Sequence, residues 1–457
     1  MDVFKRNINN IFFILILSHL IIWTLIPTIS NHNLPLDTIE ALAWGSNLDW
    51  GFDKHPPLSA FAVELFFFIF GSNDWAYYLL SQLFVIVAFI YVWKFSNEIL
   101  GNKALALVSL LALEGIFFYN FTTPEFNVNV SQLPFWAMTV YFFWKSLQTN
   151  RKTFWFLFGI SSALGFLSKY LFVYILISLF LYLILNVKKY KNQIKNYFFS
   201  VIISLLILTP HFIWLYENNF STINYGLRRS SLGNTEFIGH LINPIIFIFN
   251  QLIILLPFLI MIFILLKKIK LLRLKNQKII FLFVITFLPI ILILLTSFFI
   301  GAKIRTMWMT PFYLFFGVFF IEYFKKHLDF KKFKRFYVIF SFLFILSPLL
   351  YLSVSLIDET KRTDYPGREI SRLVQNKWDD NFVNEIKIVI GDEWSAGNLS
   401  YHLKSRPIWI NDLGKKIMEI KDNQGVIYTG NPKILKKICP GVFGTIKPVG
   451  YCMIGKK

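Results

Sequence analysis

The chain has 457 residues, 56% of them hydrophobic and 19% aromatic, with a formal net charge of +20 and two cysteines. That balance excludes an ordinary soluble domain and reads as an integral membrane protein. Nucleic acid is not implied by the positive charge, because the cations lie in short loops between apolar runs. The two cysteines, Cys439 and Cys452, exclude a cysteine-rich zinc or redox centre.

In chain order, Lys5 and Arg6 precede a long apolar run that lacks a small-residue cleavage site, so it reads as an uncleaved first helix. Apolar segments fall at about 10–28, 74–93, 104–120, 127–148, 154–168, 170–187, 197–214, 243–266, 279–299, 307–324 and 336–356, roughly eleven spans. Residues 58–70 are apolar but short and read as an interfacial or partly inserted helix. With the N-terminus in the cytoplasm, the basic loops at Lys94 and Lys103, Arg151 and Lys152, Lys188 to Lys195, Lys267 to Lys278 and Lys325 to Arg335 all fall inside. An odd number of spans leaves residues 357–457 outside, along with the first external loop, 29–73. The predicted fold is a polytopic α-helical membrane domain over 1–356 and a small α/β domain over 357–457.

The first external loop contains DTIEALAWGSNLDWGFDKHPPL, residues 37–58. Its first half reads as a short helix that Asp37 caps, with Glu40 one turn on, so both acids share a face. Gly51, Pro56 and Pro57 make the second half a stiff loop displaying Lys54 and His55. Titratable groups gathered beside a membrane suit work on a lipid headgroup. An ordinary polar loop with an interfacial aromatic belt, formed by Trp44 and Trp50, accounts for the local sequence equally well.

Sorting by topology isolates cations on the translocated side: Lys54, Lys169, Arg228 and Arg229, and Lys303 with Arg305. Together they make a cradle for phosphate; snorkelling at helix ends or contact with anionic headgroups is the alternative and is the reading preferred for the Arg228–Arg229 pair. The second external loop, FTTPEFNVN over 121–129, adds Glu125, whose position after Pro124 also suits a helix N-terminus. Glu64 and Glu114 lie within apolar segments and are expected to be protonated or paired. Past the last span, EIKIVIG (385–391), PIWI (407–410) and GVIYTG (425–430) read as strands and 396–403 as a helix. A bridge between Cys439 and Cys452 would add about 3 kcal/mol in an oxidising compartment; two unrelated thiols are the alternative.

These motifs together, DTIEALAWG followed by WGFDKHPPL, TTPEFNVNVSQLPFWA, GFLSKY, KIRTMWMTPFYLF and GDEWSAGNLSYHLKSRP, resemble the bacterial members of glycosyltransferase family 39. That family is part of the GT-C superfamily, with the protein O-mannosyltransferases and the aminoarabinose transferase acting on lipid A. The resemblance implies a GT-C fold and an inverting enzyme of the inner membrane. It would move a sugar from a polyprenyl-phosphate donor to a lipid, glycan or protein acceptor of the cell envelope on the periplasmic face. It places the catalytic acids at Asp37, Glu40 and Glu125 and the Lys-His-Pro-Pro element at Lys54 and His55, and the chemistry of a leaving phosphate adds Lys303 and Arg305 to donor-phosphate binding. Trp44, Trp50 and Lys169 are assigned to sugar or lipid contacts. Cations at the leaving phosphate dispense with an obligatory metal, while a divalent metal between the acids stays open. A transporter or flippase of lipid-linked sugars is the alternative, and would call for ionisable groups near mid-membrane and paired halves.

Overall fold

The computed structural model describes residues 2–230, 237–270, 276–358, 360–411 and 424–457. Arg273 and Lys275 of the basic loop 267–278 lie outside the described residues. The chain runs through α1 (Asp2–Ser30), α2 (Leu36–Gly45), α3 (Leu58–Phe70), α4 (Asp74–Leu100), α5 (Lys103–Leu111), α6 (Val128–Ser131), α7 (Leu133–Thr149), α8 (Lys152–Ser168) and α9 (Val173–Leu185). It continues through α10 (Ile194–Glu217), α11 (Ser221–Arg229), α12 (Phe237–Phe263), α13 (Gln277–Ile300), α14 (Phe316–Tyr323) and α15 (Phe333–Ile357). A C-terminal sheet segment follows, with α16 (Gly367–Asp379), β1 (Ile388–Ile390), α17 (Ser395–His402), β2 (Ile408–Ile410), β3 (Val426–Gly430), α18 (Pro432–Ile438), β4 (Val442–Ile446) and β5 (Val449–Ile454).

Six helices among the described residues are long and apolar enough to cross a membrane: α1, α4, α10, α12, α13 and α15. The other segments expected to cross are shorter. Helices α7 and α8 have 17 residues each and α9 has 13. The stretch 307–324, expected as one helix, is a 3-10 segment Thr306–Tyr313 followed by α14. Pro311 lies inside it and lacks the N–H that a continuous α-helix would use.

The basic loops interlock at one end of the bundle. Lys278 donates to the carbonyl of Ile99 at 3.0 Å, Lys325 to that of Leu100 at 2.6 Å, Lys332 to that of Leu266 at 2.6 Å, and Lys189 to Gln277 at 2.6 Å. Ammonium groups there satisfy carbonyls that helix ends leave without intrahelical partners. The loops around α2, Glu125, Lys169 and Arg305 gather at the other end. The two acids within apolar segments are partnered: Glu64 meets Arg406 at 2.6 Å, and Glu114 accepts from Asn120 at 2.9 Å with His19 at 4.0 Å.

The sheet has the order β2-β1-β3-β5-β4, parallel across its first three strands and antiparallel across the rest. The three sequence-predicted strands are β1, β2 and β3. One face packs Val389, Trp409, Ile427, Tyr451 and Met453 with α16, α17 and the underside of α2, where Ala43 and Trp44 join the same core. A disulfide between Cys439 and Cys452 ties the end of α18 to β5.

Helix α2 is thereby held between the membrane bundle and the sheet segment. At one end Asn33 donates to Asn398 at 2.9 Å and lies 3.1 Å from His402. At the other the Trp409 N–H donates to Ser46 at 2.8 Å, and Arg406 donates to the Leu42 carbonyl at 2.7 Å. Arg406 adopts φ +49°, which a side-chain-bearing residue rarely adopts, and its contacts with Glu64, Leu42 and the Phe67 ring hold it there. Arg406→Ala should leave the Glu64 charge without its partner and lower stability by about 2 kcal/mol. Thermal denaturation in detergent reads this directly, and an unchanged midpoint would remove Arg406 from the packing argument.

Candidate active site

Asp37 lies in the first turn of α2, and its side chain does not cap the helix as the sequence suggested: the N-cap is Pro35, and no side-chain cap bond forms. The Asp37 carboxylate is thereby left to line the cavities described below. Glu125 takes the bond instead, accepting the Asp37 backbone N–H at 3.1 Å. The two external loops therefore meet at one point. Next to it, Thr38 donates to the Phe126 carbonyl at 3.2 Å, which fixes the register of α2 against the second loop.

The loop after α2 is pinned from α10 and α11. Trp214 donates to Asp49 at 2.7 Å, His211 contacts the Trp50 carbonyl at 2.6 Å, and Thr222 donates to the Phe52 carbonyl at 2.7 Å. Gly51 lies against the Trp214 ring, where a β-carbon would overlap it. This clamping turns Lys54 inward. Its ammonium bonds Glu40 and reaches Glu393 of the C-terminal segment at 3.0 Å.

Two cavities meet at Asp37. The first, about 450 Å³, is bounded by Asp37, Glu40, Lys54, His55, Asn129, Lys169, Arg229, Arg305 and Trp308. Part of its wall is apolar, with Leu171, Val173, Ile293 and Ile300 from the α9 and α13 region. The second, about 570 Å³, is bounded by Asp37, Glu125, Arg229, Tyr351, Lys361 and Arg362. Asp37, Leu36, Arg229 and Met307 line both.

The electrostatics follow from burial. Burial raises the Asp37 carboxyl above its usual range, and Lys169, Lys54, Arg362 and Arg229 pull it back. Burial likewise raises Glu125, the nearby Asp37 adding to the rise. Lys169, at the break between α8 and α9, is lowered to about 7 by burial while Asp37 opposes. Its ammonium bonds Asn129 at 2.5 Å and lies 5.2 Å from the centre of the Trp308 ring. His55 is lowered to about 3 by burial and then by Lys169, Lys54 and Arg229, so it is a neutral imidazole. Burial works against the Lys54 charge, but Glu40 and then Glu393 outweigh it and hold the ammonium protonated.

Of the sequence-predicted residues, Asp37, Glu40, Lys54, His55, Lys169 and Arg305 line the first cavity, and Glu125 lines the second. Three do not join them. Trp44 is buried and stacks on Phe52 beneath the C-terminal segment. Trp50 packs edge-on against Phe61, with its carbonyl held by His211. Lys303 is exposed; its backbone N–H donates to Ser230 at 3.0 Å. Arg229, read as a snorkelling cation, instead lines both cavities. Trp308, Lys361, Arg362 and Glu393 were missed; Trp308 and Glu393 fall within quoted motifs, while the RTD run at 362–364 carried no signal. Among the described residues no group of three or more His, Cys, Asp or Glu is placed to hold a metal.

Residues 54–214 match the family described as dolichyl-phosphate-mannose-protein mannosyltransferase. No curated protein sequence matches the chain. The structure is similar to that of ArnT from Cupriavidus metallidurans bound to undecaprenyl phosphate, at TM-score 0.69 and 10% identity, covering 96% of this chain and 98% of that one. The apo state of the same protein gives TM-score 0.66 at 10% identity, with 97% and 98% covered. The archaeal oligosaccharyltransferase AglB from Archaeoglobus fulgidus, in complex with an inhibitory peptide and a dolichol-phosphate, gives 0.45 at 11% identity, with 90% and 69% covered. The bundle with its sheet segment thus shares the fold of ArnT. The family match covers about a third of the chain, residues 54–214, and the structural similarity covers nearly all of it.

Glu40 supplies a test of the site's electrostatics. Burial raises its carboxyl from 4.5 to about 7 against the pull of Lys54. A carboxyl raised on folding holds its proton more tightly in the folded state. Its contribution is therefore complete below pH 4.5 and is lost as pH rises through about 7. Glu40→Gln should flatten the fall in thermal midpoint between about pH 5 and about pH 8. An undiminished slope in the variant would place the titration elsewhere.

Proposed function

We propose that the protein is an inverting glycosyltransferase that takes a sugar from a polyprenyl-phosphate donor in the first cavity and passes it to a cell-envelope acceptor in the second. The observation that carries this reading is the position of Asp37, the one carboxylate among the described residues that borders both cavities. A donor needs an apolar path for its chain and cations at its phosphate, and the first cavity offers both. ArnT, whose fold this chain shares, is described as bound to undecaprenyl phosphate.

In the proposed reaction an acceptor oxygen attacks the anomeric carbon, the carbon–phosphate oxygen bond breaks, and negative charge develops on the departing polyprenyl phosphate. Lys54, Lys169, Arg229 and Arg305 meet that charge with preorganised donors, which leaves no obligatory role for a metal. Lys169 is suited to this because an anion beside it restores the proton that burial disfavours. A hydroxyl acceptor delivers its proton to Asp37, whose orientation Glu125 fixes through the backbone bond. A phosphate acceptor needs no base, and Asp37 then orients the sugar. Lys361, Arg362 and Arg229 around the second cavity favour an anionic acceptor, a phosphorylated glycolipid before a neutral glycan or a protein.

The lysines and arginines concentrated in the interlocked basic loops support, by the positive-inside rule, an inner-membrane orientation with that end in the cytoplasm and the site facing the periplasm. A flippase would require a path between the two faces, whereas both cavities open around α2 at one end of the bundle.

Asp37→Asn should lower transfer from a labelled polyprenyl-phosphate sugar to membrane acceptors by about 10²- to 10⁴-fold, with donor binding nearly unchanged. Unaltered transfer would remove Asp37 from the mechanism. Arg362→Gln should raise the KM for an anionic acceptor by about tenfold and leave the donor KM alone; a change confined to the donor would reverse the assignment of the two cavities.

A further inference from the structure

Lys54 is overcompensated. A lysine at a phosphate site gains from an unopposed positive charge, yet this ammonium bonds Glu40 and also Glu393 at 3.0 Å. The two acids differ in their supports. Glu40 is 8% exposed on α2, within the membrane bundle's own framework. Glu393 comes from the C-terminal segment, in the turn between β1 and α17, and its side chain is 16% exposed.

That turn is built to aim Glu393. Asp392 accepts the backbone N–H groups of Trp394 at 2.9 Å and Ser395 at 2.7 Å, fixing the direction of the residue between. Trp394 packs on Tyr365, with ring centres 5.2 Å apart, and Arg362 lies 5.9 Å over its ring. Gly397, one turn further along α17, sits so close to Ala43 and Ile39 of α2 that a β-carbon would lie 3.2 Å from each side chain. The carboxylate is therefore delivered to Lys54 by a rigid piece docked on the helix that carries Asp37.

A second carboxylate on Lys54 cannot strengthen phosphate binding. It weakens it, and the penalty grows with the charge of the ligand. The proposed donor is a phosphodiester with one negative charge, whereas the polyprenyl phosphate left after transfer is a monoester carrying about 1.5 to 2 negative charges near neutral pH. An acid beside Lys54 thus opposes the product more than the donor.

We propose that Glu393 is a positioning residue that shares Lys54 with the lipid phosphate and so promotes release of the spent polyprenyl phosphate after sugar transfer. The proposal rests on the donor reading above and assigns the C-terminal segment a part in turnover. Lysine has three N–H donors, so Glu40 and Glu393 leave one for the phosphate while offsetting the charge it meets.

The test is a titration of full-length protein in lipid nanodiscs with a polyprenyl phosphate, read by tryptophan fluorescence, alongside steady-state transfer. Glu393→Gln should bind polyprenyl phosphate about three- to tenfold more tightly than wild type, with a smaller gain for the sugar-bearing donor. Turnover and donor KM should fall together, as they do when product leaves slowly. Glu393→Asp, which withdraws the charge by one methylene, should fall between, and it carries the test if the glutamine variant does not fold. A role confined to pinning the sheet segment predicts the opposite sign: equal or weaker binding in either folded variant overturns the proposal. Failure of the wild type to bind polyprenyl phosphate would overturn the donor reading itself, a result distinct from binding that the variants leave unimproved.

Discussion

Two carboxyl groups cannot lie buried side by side unless protons or cations offset their repulsion, and the architecture answers that requirement at Asp37 and Glu125. Four cations from four separate stretches converge on Asp37: Lys54 from the first loop, Lys169 from the break after α8, Arg229 from the end of α11, and Arg362 after the last long helix. None of them is near another in the sequence. Each must be delivered by a different part of the fold, which explains why the loops at this end of the bundle are held by so many side-chain hydrogen bonds. Trp214, His211 and Thr222 fix the 49–52 stretch, and Asn398, Arg406 and Trp409 fix α2.

The site's acids and most of its first-cavity cations were legible because ionisable groups stand out in an apolar chain. Asp37, Glu40, Lys54 and Glu125 sit between apolar segments, in loops whose expected side follows from the placement of lysines in the others. The residues that were missed belong to stretches where polar groups are ordinary. Arg362 and Glu393 lie in a segment of soluble composition, where an acid or a base is ordinary, and the motif that contains Glu393 does not single it out. Their meaning arises only when α17 docks on α2 and carries the preceding turn back to Lys54.

Tryptophan misled for a related reason. A tryptophan in a loop beside a membrane span reads as an interfacial or ligand contact, but Trp44 is 3% exposed and stacked on Phe52 as part of the joint between bundle and sheet. The sequence pattern marks Trp44 as an aromatic residue one helical turn past Glu40, and cannot say that a second layer of protein covers it. The 307–324 segment shows the same limit in the backbone: its apolar content suits a span, while Pro311 and the need to present Arg305 and Trp308 to the cavity replace half of it with a 3-10 stretch.

The division of labour between the two parts of the chain follows from where the chemistry must occur. A polyprenyl chain is most stable in hydrocarbon and its phosphate in water, so the reacting bond of such a donor lies at the boundary, where a helical bundle alone has loops and no rigid walls. The sheet segment supplies the missing wall. Its core is shared with the underside of α2, its Arg406 neutralises a glutamate in α3, and the single turn Asp392–Trp394 touches Lys54 of one cavity and Arg362 of the other. A change of charge in either cavity therefore acts on one short turn, and in the proposed reaction donor and acceptor would share that mechanical support.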